Sequence, residues 1–266
     1  MYVKVQDKKY WVEDFGGEGI PLLFLHGFTG SGDTFDESIS LFTEDWRMIK
    51  LDMPGHRKTG EIGSISMEQF CDDLALILNE LNVPKVCLIG YSMGGRAALS
   101  FTFLYPELVE KLVLESSSPG LSVTEEQMAR QAKDQTLIDM LHKDGLKSFV
   151  NLWENLPLFH TQKSLPEEVQ DRVRTERLSH TAAGLAQSLA GMGTGRQPSW
   201  WDKLPELSVD VLLITGCEDE KFLRINEEME KLTLKVRVYK IREAGHAVHV
   251  EKPEIFAEIV EEFMLQ

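Results

Sequence analysis

The sequence predicts an α/β fold: a mostly parallel β-sheet covered by helices on both faces, with a helical cap inserted between two strands. Three observations predict it. Continuous apolar runs alternate with segments of helical period, as strands buried on both faces by crossover helices do. One such run, Val86-Cys87-Leu88-Ile89, passes through Gly90-Tyr91-Ser92-Met93-Gly94 into Gly95-Arg96-Ala97-Ala98-Leu99-Ser100-Phe101, which reads as a helix. Strand signals then vanish between about 118 and 201 and resume towards the C-terminus.

Taken in order, Tyr2–Val5 and Lys9–Val12 alternate around Asp7-Lys8 and read as a hairpin. Ile20–Leu25 is an apolar strand ending in His26-Gly27-Phe28-Thr29-Gly30, and Met48–Leu51 is a strand ending in Asp52-Met53-Pro54-Gly55-His56. Ser66 and Gln69 form a capping box for a helix whose apolar face is Met67, Phe70, Leu74, Ile77, Leu78 and Leu81. The Val86–Ile89 strand, its helix and a strand over Lys111–Glu115 follow. Within the insertion, Glu125–Leu141, Leu146–Leu152, Pro166–Leu178 and Ala182–Met192 read as helix or loop. Val209–Thr215 and Val236–Ile241 are the last strands. A helix starting at Pro253, a residue suited to a first turn, has Ile255, Phe256, Ile259, Val260 and Phe263 as its expected buried face. The expected organisation is an α/β core of residues 1–117 and 202–266 and a cap of residues 118–201. The cap is expected above the strand C-termini, where open α/β sheets place their sites.

Composition narrows the function. The 266 residues carry a formal net charge of −15 with 27% charged and 42% hydrophobic residues. A field of that sign repels nucleic acid and anionic membrane, and no apolar run approaches the ~18 residues of a membrane span. Three cysteines, Cys71, Cys87 and Cys217, fit reduced thiols better than a disulfide framework. The N-terminus Met1-Tyr2-Val3-Lys4-Val5-Gln6-Asp7 lacks the features of a signal peptide. A cytoplasmic protein, monomeric or weakly self-associating, with a small-molecule partner is expected.

The chemistry concentrates at strand ends. Gly-x-Ser-x-Gly between a strand and a helix presents Ser92 on a strained turn, with helix N–H groups aimed at the reacting centre. A serine hydroxyl needs a base, and the base an orienting acid. Asp219, in Thr215-Gly216-Cys217-Glu218-Asp219-Glu220-Lys221, and His246, in Glu243-Ala244-Gly245-His246-Ala247, follow two successive strands. Glu218 and Glu220 compete with Asp219, and His249 with His246. Asp219 is favoured by its spacing past the strand, His246 by its place directly after Gly245. The backbone N–H groups of Phe28 and Met93 are the expected oxyanion donors.

His26-Gly27, Asp52-Met53-Pro54-Gly55-His56, Gly90–Gly95, Gly216–Asp219 and Gly245-His246 together resemble the α/β-hydrolase superfamily over nearly the whole chain. Arg57 departs from its pattern, which has Gly after Gly55-His56; that turn is structural and leaves the triad untouched. Fold alone leaves the reaction open. Arg96, one turn past Ser92 on the same helix face, with Arg130 and Arg177 in the insertion, points to a multiply carboxylated substrate gripped by planar forks.

These residues further resemble one family, the 2-succinyl-6-hydroxy-2,4-cyclohexadiene-1-carboxylate synthases of menaquinone biosynthesis. The resemblance is carried by Gly90-Tyr91-Ser92-Met93-Gly94-Gly95-Arg96, by Ser118-Pro119-Gly120-Leu121, and by Gly184-Leu185 through Gly191-Met192-Gly193-Thr194-Gly195-Arg196-Gln197-Pro198-Ser199. It places the substrate arginines at Arg96, Arg130 and Arg177, with Arg172 and Arg174 competing for the last, and adds Tyr91 and Trp153. It implies a lyase that eliminates pyruvate from 2-succinyl-5-enolpyruvyl-6-hydroxy-3-cyclohexene-1-carboxylate without metal or organic cofactor. The competing readings are a serine hydrolase (carboxylesterase, thioesterase or carbon–carbon bond hydrolase) acting on an acidic substrate, and a non-catalytic receptor on the same scaffold.

Overall fold

A two-residue turn begins the sheet. Gln6 takes φ 54°, so β1 (Tyr2–Val5) and β2 (Lys8–Asp14) pair antiparallel with Val5 opposite Lys8. The computed structural model describes residues Met1–Gln266. β3 (Glu18–Leu25) is followed by the short helix α1 (Asp36–Ile39) and by β4 (Trp46–Leu51). Then come α2 (Met67–Glu80), β5 (Val86–Tyr91), α3 (Met93–Leu104) and β6 (Val109–Glu115). β7 (Asp210–Gly216), α7 (Glu220–Leu232), β8 (Val236–Ile241), α8 (Val248–Glu251) and α9 (Pro253–Leu265) close the chain. The sheet order is β1-β2-β4-β3-β5-β6-β7-β8, parallel from β4 to β8.

The continuous apolar strands are buried on both faces, and their side chains divide with a period of two. Leu23, Leu25, Leu88, Leu112, Leu114 and Leu213 pack with Phe70 and Leu74 of α2 and Ala97 and Phe101 of α3. Leu22, Phe24, Ile89, Val113, Leu212 and Ile214 pack with Phe256, Val260 and Phe263 of α9 on the other face. Each such side chain stabilises the fold by about 1.5–3 kcal/mol. α2 starts at the expected capping box: Gln69 N donates to Ser66 Oγ (3.2 Å), and Ser66 N to Gln69 Oε1 (2.8 Å). In α9 the expectation fails at Ile255, which is 39% exposed. It lies roughly 100° around the helix from Phe256, at the margin of the Phe256–Val260–Phe263 stripe.

Three helices lie between β6 and β7: α4 (Thr124–Trp153), α5 (Glu167–Leu178) and α6 (Ala182–Met192). α4 joins two segments expected to be separate; the helical path breaks at Gly145, with φ 80° and ψ 173°. Leu185, Ala186 and Leu189 of α6 pack on Ile138, Leu141, Phe149 and Val150 of α4, and Phe28 from the sheet side touches this small core. Trp200 belongs to the main core: it stacks on Phe103 (4.9 Å) and its indole N–H donates to Ser100 Oγ (2.8 Å). No helix is long and apolar enough to cross a membrane.

Register sets the site. Leu25 lies opposite Gly90, Tyr91 opposite Glu115, Glu115 opposite Ile214, and Gly216 opposite Ile241. The loops carrying Phe28, Ser92, Ser116, Asp219 and His246 therefore leave the sheet side by side at its C-terminal edge.

Candidate active site

Ser92 sits between β5 and α3 with φ 51° and ψ −106°, a backbone conformation that costs about 1–3 kcal/mol for a residue with a Cβ. The surroundings enforce it. Ser92 N donates to Glu115 O (2.8 Å), and Arg96 N donates to Ser92 O (3.0 Å). A Cβ on Gly94 would lie 1.9 Å from Leu25 O, so only glycine lets α3 pass this close to β3.

His246 Nε2 is 3.0 Å from Ser92 Oγ, and His246 Nδ1 is 2.6 Å from Asp219 Oδ2. His246 and Asp219 are buried. The other Asp219 oxygen accepts from Phe222 N (3.3 Å) and caps α7. Glu218 is exposed, and Glu220 is paired with Arg224 in solvent. His249 is engaged elsewhere: its ring Nδ1 and its amide both meet the Glu115 carboxylate, and its Nε2 meets Thr34 Oγ1 (3.0 Å). The structure thus brings together Ser92, His246 and Asp219 and leaves the three competitors outside the chain of contacts. Gly245 is required for close approach: a Cβ there would stand 2.2 Å from Thr161 Oγ1 of the insertion. Glu251, which carried no sequence signal, accepts from the amides on either side of His246, Gly245 N (2.7 Å) and Ala247 N (3.4 Å). Burial raises its pKa.

Phe28 and Met93 both line the space above Ser92. Met93 is the first residue of α3, so its N–H has no partner within the helix. The Phe28 loop is held by three histidines packed edge to face. His26 Nε2 accepts from Met53 N (2.9 Å), His56 Nε2 accepts from Thr29 N (3.2 Å), and His180 Nδ1 accepts from Arg57 N (3.0 Å). Ring centroids of His26 and His56 are 4.9 Å apart, and those of His56 and His180 5.2 Å. Burial depresses all three pKa values, His26 to about 3 and His180 to about 4. Arg57, where the superfamily pattern has glycine, takes φ 39° and pairs with Asp33.

A cavity of about 120 Å³ opens over Ser92 and His246. Tyr91, Arg96, Arg130, Trp153 and Lys221 are in its wall. Arg96 is buried, and its guanidinium donates to neutral acceptors, Met192 O (2.9 Å) and Gln197 Oε1. Burial, reinforced by Arg130, lowers its pKa to about 9, so it stays charged at neutral pH. Arg130 is half-exposed and paired with Asp134 (2.8 Å). Arg177 is not in this wall. It lies behind it, in a smaller recess that shares Phe28, Tyr91 and Phe159 with the first. Its guanidinium stands 4.6 Å over the Phe159 ring and donates to Gln162 Oε1 (3.0 Å). Its competitors are paired with acids, Arg172 with Glu37 and Arg174 with Glu154. Of the three arginines expected over Ser92, Arg96 and Arg130 line its cavity and Arg177 lines the neighbouring recess. Tyr91 lies against His246 (5.3 Å) and His249 (4.6 Å). Trp153 stacks on Phe149 (5.4 Å), and its buried indole N–H has no protein acceptor. Lys221 escapes sequence reasoning because a lysine in an acidic run reads as solvated; its place two residues past Asp219 is the one signal for it.

A serine at a strand-to-helix elbow, above the C-terminal edge of an eight-stranded, mostly parallel sheet, with histidine and acid on the last two loops, defines the class of α/β-hydrolase-fold enzymes. Residues 20–253 match the family described as alpha/beta hydrolase fold. A Bacillus subtilis (strain 168) protein provisionally named 2-succinyl-6-hydroxy-2,4-cyclohexadiene-1-carboxylate synthase is 45% identical over 96% of this chain and 94% of its own. The synthase of that name from Klebsiella pneumoniae (strain 342) is 30% identical over 90% of this chain and 92% of its own. The structure of MenH from S. aureus superposes with a TM-score of 0.90 at 34% identity, covering 96% of this chain and 97% of that one. The chain belongs to the α/β-hydrolase family and, within it, to the group of these synthases.

Proposed function

We propose that the protein is a carbon–oxygen lyase of menaquinone biosynthesis. It eliminates pyruvate from 2-succinyl-5-enolpyruvyl-6-hydroxy-3-cyclohexene-1-carboxylate to give 2-succinyl-6-hydroxy-2,4-cyclohexadiene-1-carboxylate. The observation that carries this reading is a buried Arg96 with no carboxylate partner, in the wall of the cavity that holds Ser92 and His246. A buried charge is costly unless an opposite charge meets it. In a protein of net charge −15, a guanidinium left to neutral acceptors is poised for an anionic ligand. The synthase names of the relatives supply the particular anion.

His246 Nε2 takes the Ser92 proton, and Asp219 steadies the imidazolium. The serine oxygen removes the proton from the carbon next to the succinyl ketone. Negative charge gathers on the ketone oxygen, where the Phe28 and Met93 amides stabilise it; one such donor is worth about 3–4 kcal/mol. The electron pair then forms a double bond between ring carbons 2 and 3, the existing double bond between carbons 3 and 4 shifts to carbons 4 and 5, and the carbon–oxygen bond from carbon 5 to enolpyruvate breaks. Enolpyruvate takes up a proton and becomes pyruvate. Arg96, Arg130 and Arg177 hold carboxylates, and Tyr91 and Trp153 shape the wall around them. The residues act as two units: an α/β core of 1–117 and 202–266 carrying Ser92, Asp219 and His246, and a cap of 118–201 supplying Arg130, Arg177 and Trp153.

The test is pyruvate release from the enolpyruvyl substrate, followed through lactate dehydrogenase. Turnover supports the lyase. Absence of pyruvate, with rapid hydrolysis of p-nitrophenyl esters, would instead assign a hydrolase.

A further inference from the structure

The loops after β6 and β7 both contribute to the wall of the Ser92 cavity. These strands pair with Glu115 opposite Ile214, so Ser116 and Ser117 leave the sheet beside the segment that carries Asp219 and Lys221. Both serine hydroxyls are buried in the cavity wall, and neither has a hydrogen-bond partner. Ser116 holds φ 45°, a left-handed conformation that is costly for a side-chain-bearing residue. A buried hydroxyl left unpaired is costly, and a ligand oxygen would relieve that cost.

Lys221 stands at the rim of the same cavity. Its Nζ lies 5.0 Å from the Phe222 ring, and that ring packs on His246 at 4.8 Å. Its acidic neighbours are unavailable: Asp219 is committed to His246 at 2.6 Å, and Glu220 faces Arg224. Although Lys221 as a whole is exposed, desolvation on its cavity side and the repulsion of Arg130 and Arg96 hold the ammonium below the usual lysine range. Arg177 lies behind the wall, so the cations that line the cavity itself are Arg96, Arg130 and Lys221.

We propose that Lys221, in the cavity wall that Ser117 also lines, is a binding subsite for a carboxylate of the substrate. The inference rests on the proposed lyase reading for the identity of the substrate, but not for the anion site itself. Lys221 supplies a point charge on a flexible stem, and Ser117 a directional donor. Together they would seat the carboxylate nearest the cavity mouth while Arg96 holds one at the cavity floor.

Two measurements test this. With the enolpyruvyl tricarboxylate, Lys221→Gln should raise KM about tenfold or more and leave kcat within about threefold. Lys221→Arg should restore most of the affinity, and Ser117→Ala should raise KM severalfold. Independently of turnover, citrate is used as a tricarboxylate probe. The rise in melting temperature that citrate gives the wild type should shrink in Lys221→Gln and persist in Lys221→Arg. If Lys221→Gln leaves both KM and the citrate response unchanged, the subsite is refuted. A wild type that releases no pyruvate, yet loses its citrate response with Lys221, would overturn the lyase reading and keep the subsite.

Discussion

His180, from the segment between α5 and α6, donates through Nε2 to the carbonyl of Thr29, the residue after Phe28, at 2.9 Å. Its other nitrogen accepts from Arg57 N, so the ring is used as a neutral tautomer with one donor and one acceptor. His26 and His56 are used the same way, each accepting an amide at Nε2 and lying against a carbonyl at Nδ1. Protonating any of them places a donor against an N–H.

The folded-state pKa of each of these histidines lies below the unfolded value of about 6.5. As pH falls from that value the unfolded chain binds protons first, so stability is lost until the folded pKa is reached, about 4 for His180. Linkage sets the slope at about 1.4 kcal/mol per pH unit per histidine. Asp52, Glu176 and Glu251, raised by burial, act in the opposite sense. The difference between two proteins isolates the histidine. His180→Asn is expected to be less stable at neutral pH, and its deficit should narrow by about 2 kcal/mol between pH 6.5 and 5 in urea unfolding. A deficit that stays constant with pH would mean His180 titrates normally.

Ser92→Ala removes the oxygen proposed to take the substrate proton, and nothing else in the cavity stands within reach of His246 Nε2 as Ser92 Oγ does at 3.0 Å. Pyruvate release should fall by about a thousandfold or more. The unfolding midpoint should hold or rise, because Ser92 gives no side-chain bond to its helix. Mass spectrometry of the wild type during turnover should show no substrate fragment on Ser92; a trapped adduct would replace the lyase step by acyl transfer.

Arg96→Ala is expected to lower kcat/KM by about 2–5 kcal/mol of transition-state binding, roughly thirty- to several-thousand-fold. Arg96→Lys should recover only part of it: Nη1 alone serves Met192 O and Gln197, which leaves the rest of the planar guanidinium for a carboxylate, a fork an ammonium lacks. Steady-state kinetics with unchanged kcat/KM in Arg96→Ala would remove this residue from substrate contact.

How much of this was legible depends on the range of the signal. The elbow at Ser92 is written in neighbouring residues, and the unbroken apolar run that leads into it reads directly as the buried strand Val86–Tyr91. Asp219 and His246 follow from their places after strands. Arg177 illustrates where local reading stops. Its spacing says that it shares an insertion with Arg130, but only the seating of Phe159 and Gln162 decides that it faces the recess behind the Ser92 cavity. α7 is hidden for another reason: its buried residues Phe222, Asn226 and Met229 are diluted by acids and lysines. Glu251 and Lys221 look like ordinary surface charge, and their roles arise from contacts to backbone and cavity that no short motif encodes.

Glu251 yields a prediction that separates positioning from folding. Its carboxylate spans the amides before and after His246, using one oxygen for Gly245 N and the other for Ala247 N. Glu251→Gln keeps the shape but turns one oxygen into an NH2 group, which faces an N–H and leaves one amide unsatisfied. The cost of an unmet buried amide is about 1–3 kcal/mol. Because the bond lies on the loop that sets the imidazole against Ser92 and Asp219, part of that cost should appear in the rate. The expectation is a kcat lowered about tenfold with KM little changed, and a weakened low-field proton signal for the His246–Asp219 hydrogen bond in NMR spectra. A variant that loses melting temperature while keeping kcat and that signal would show Glu251 to be a structural brace with no part in orienting the histidine.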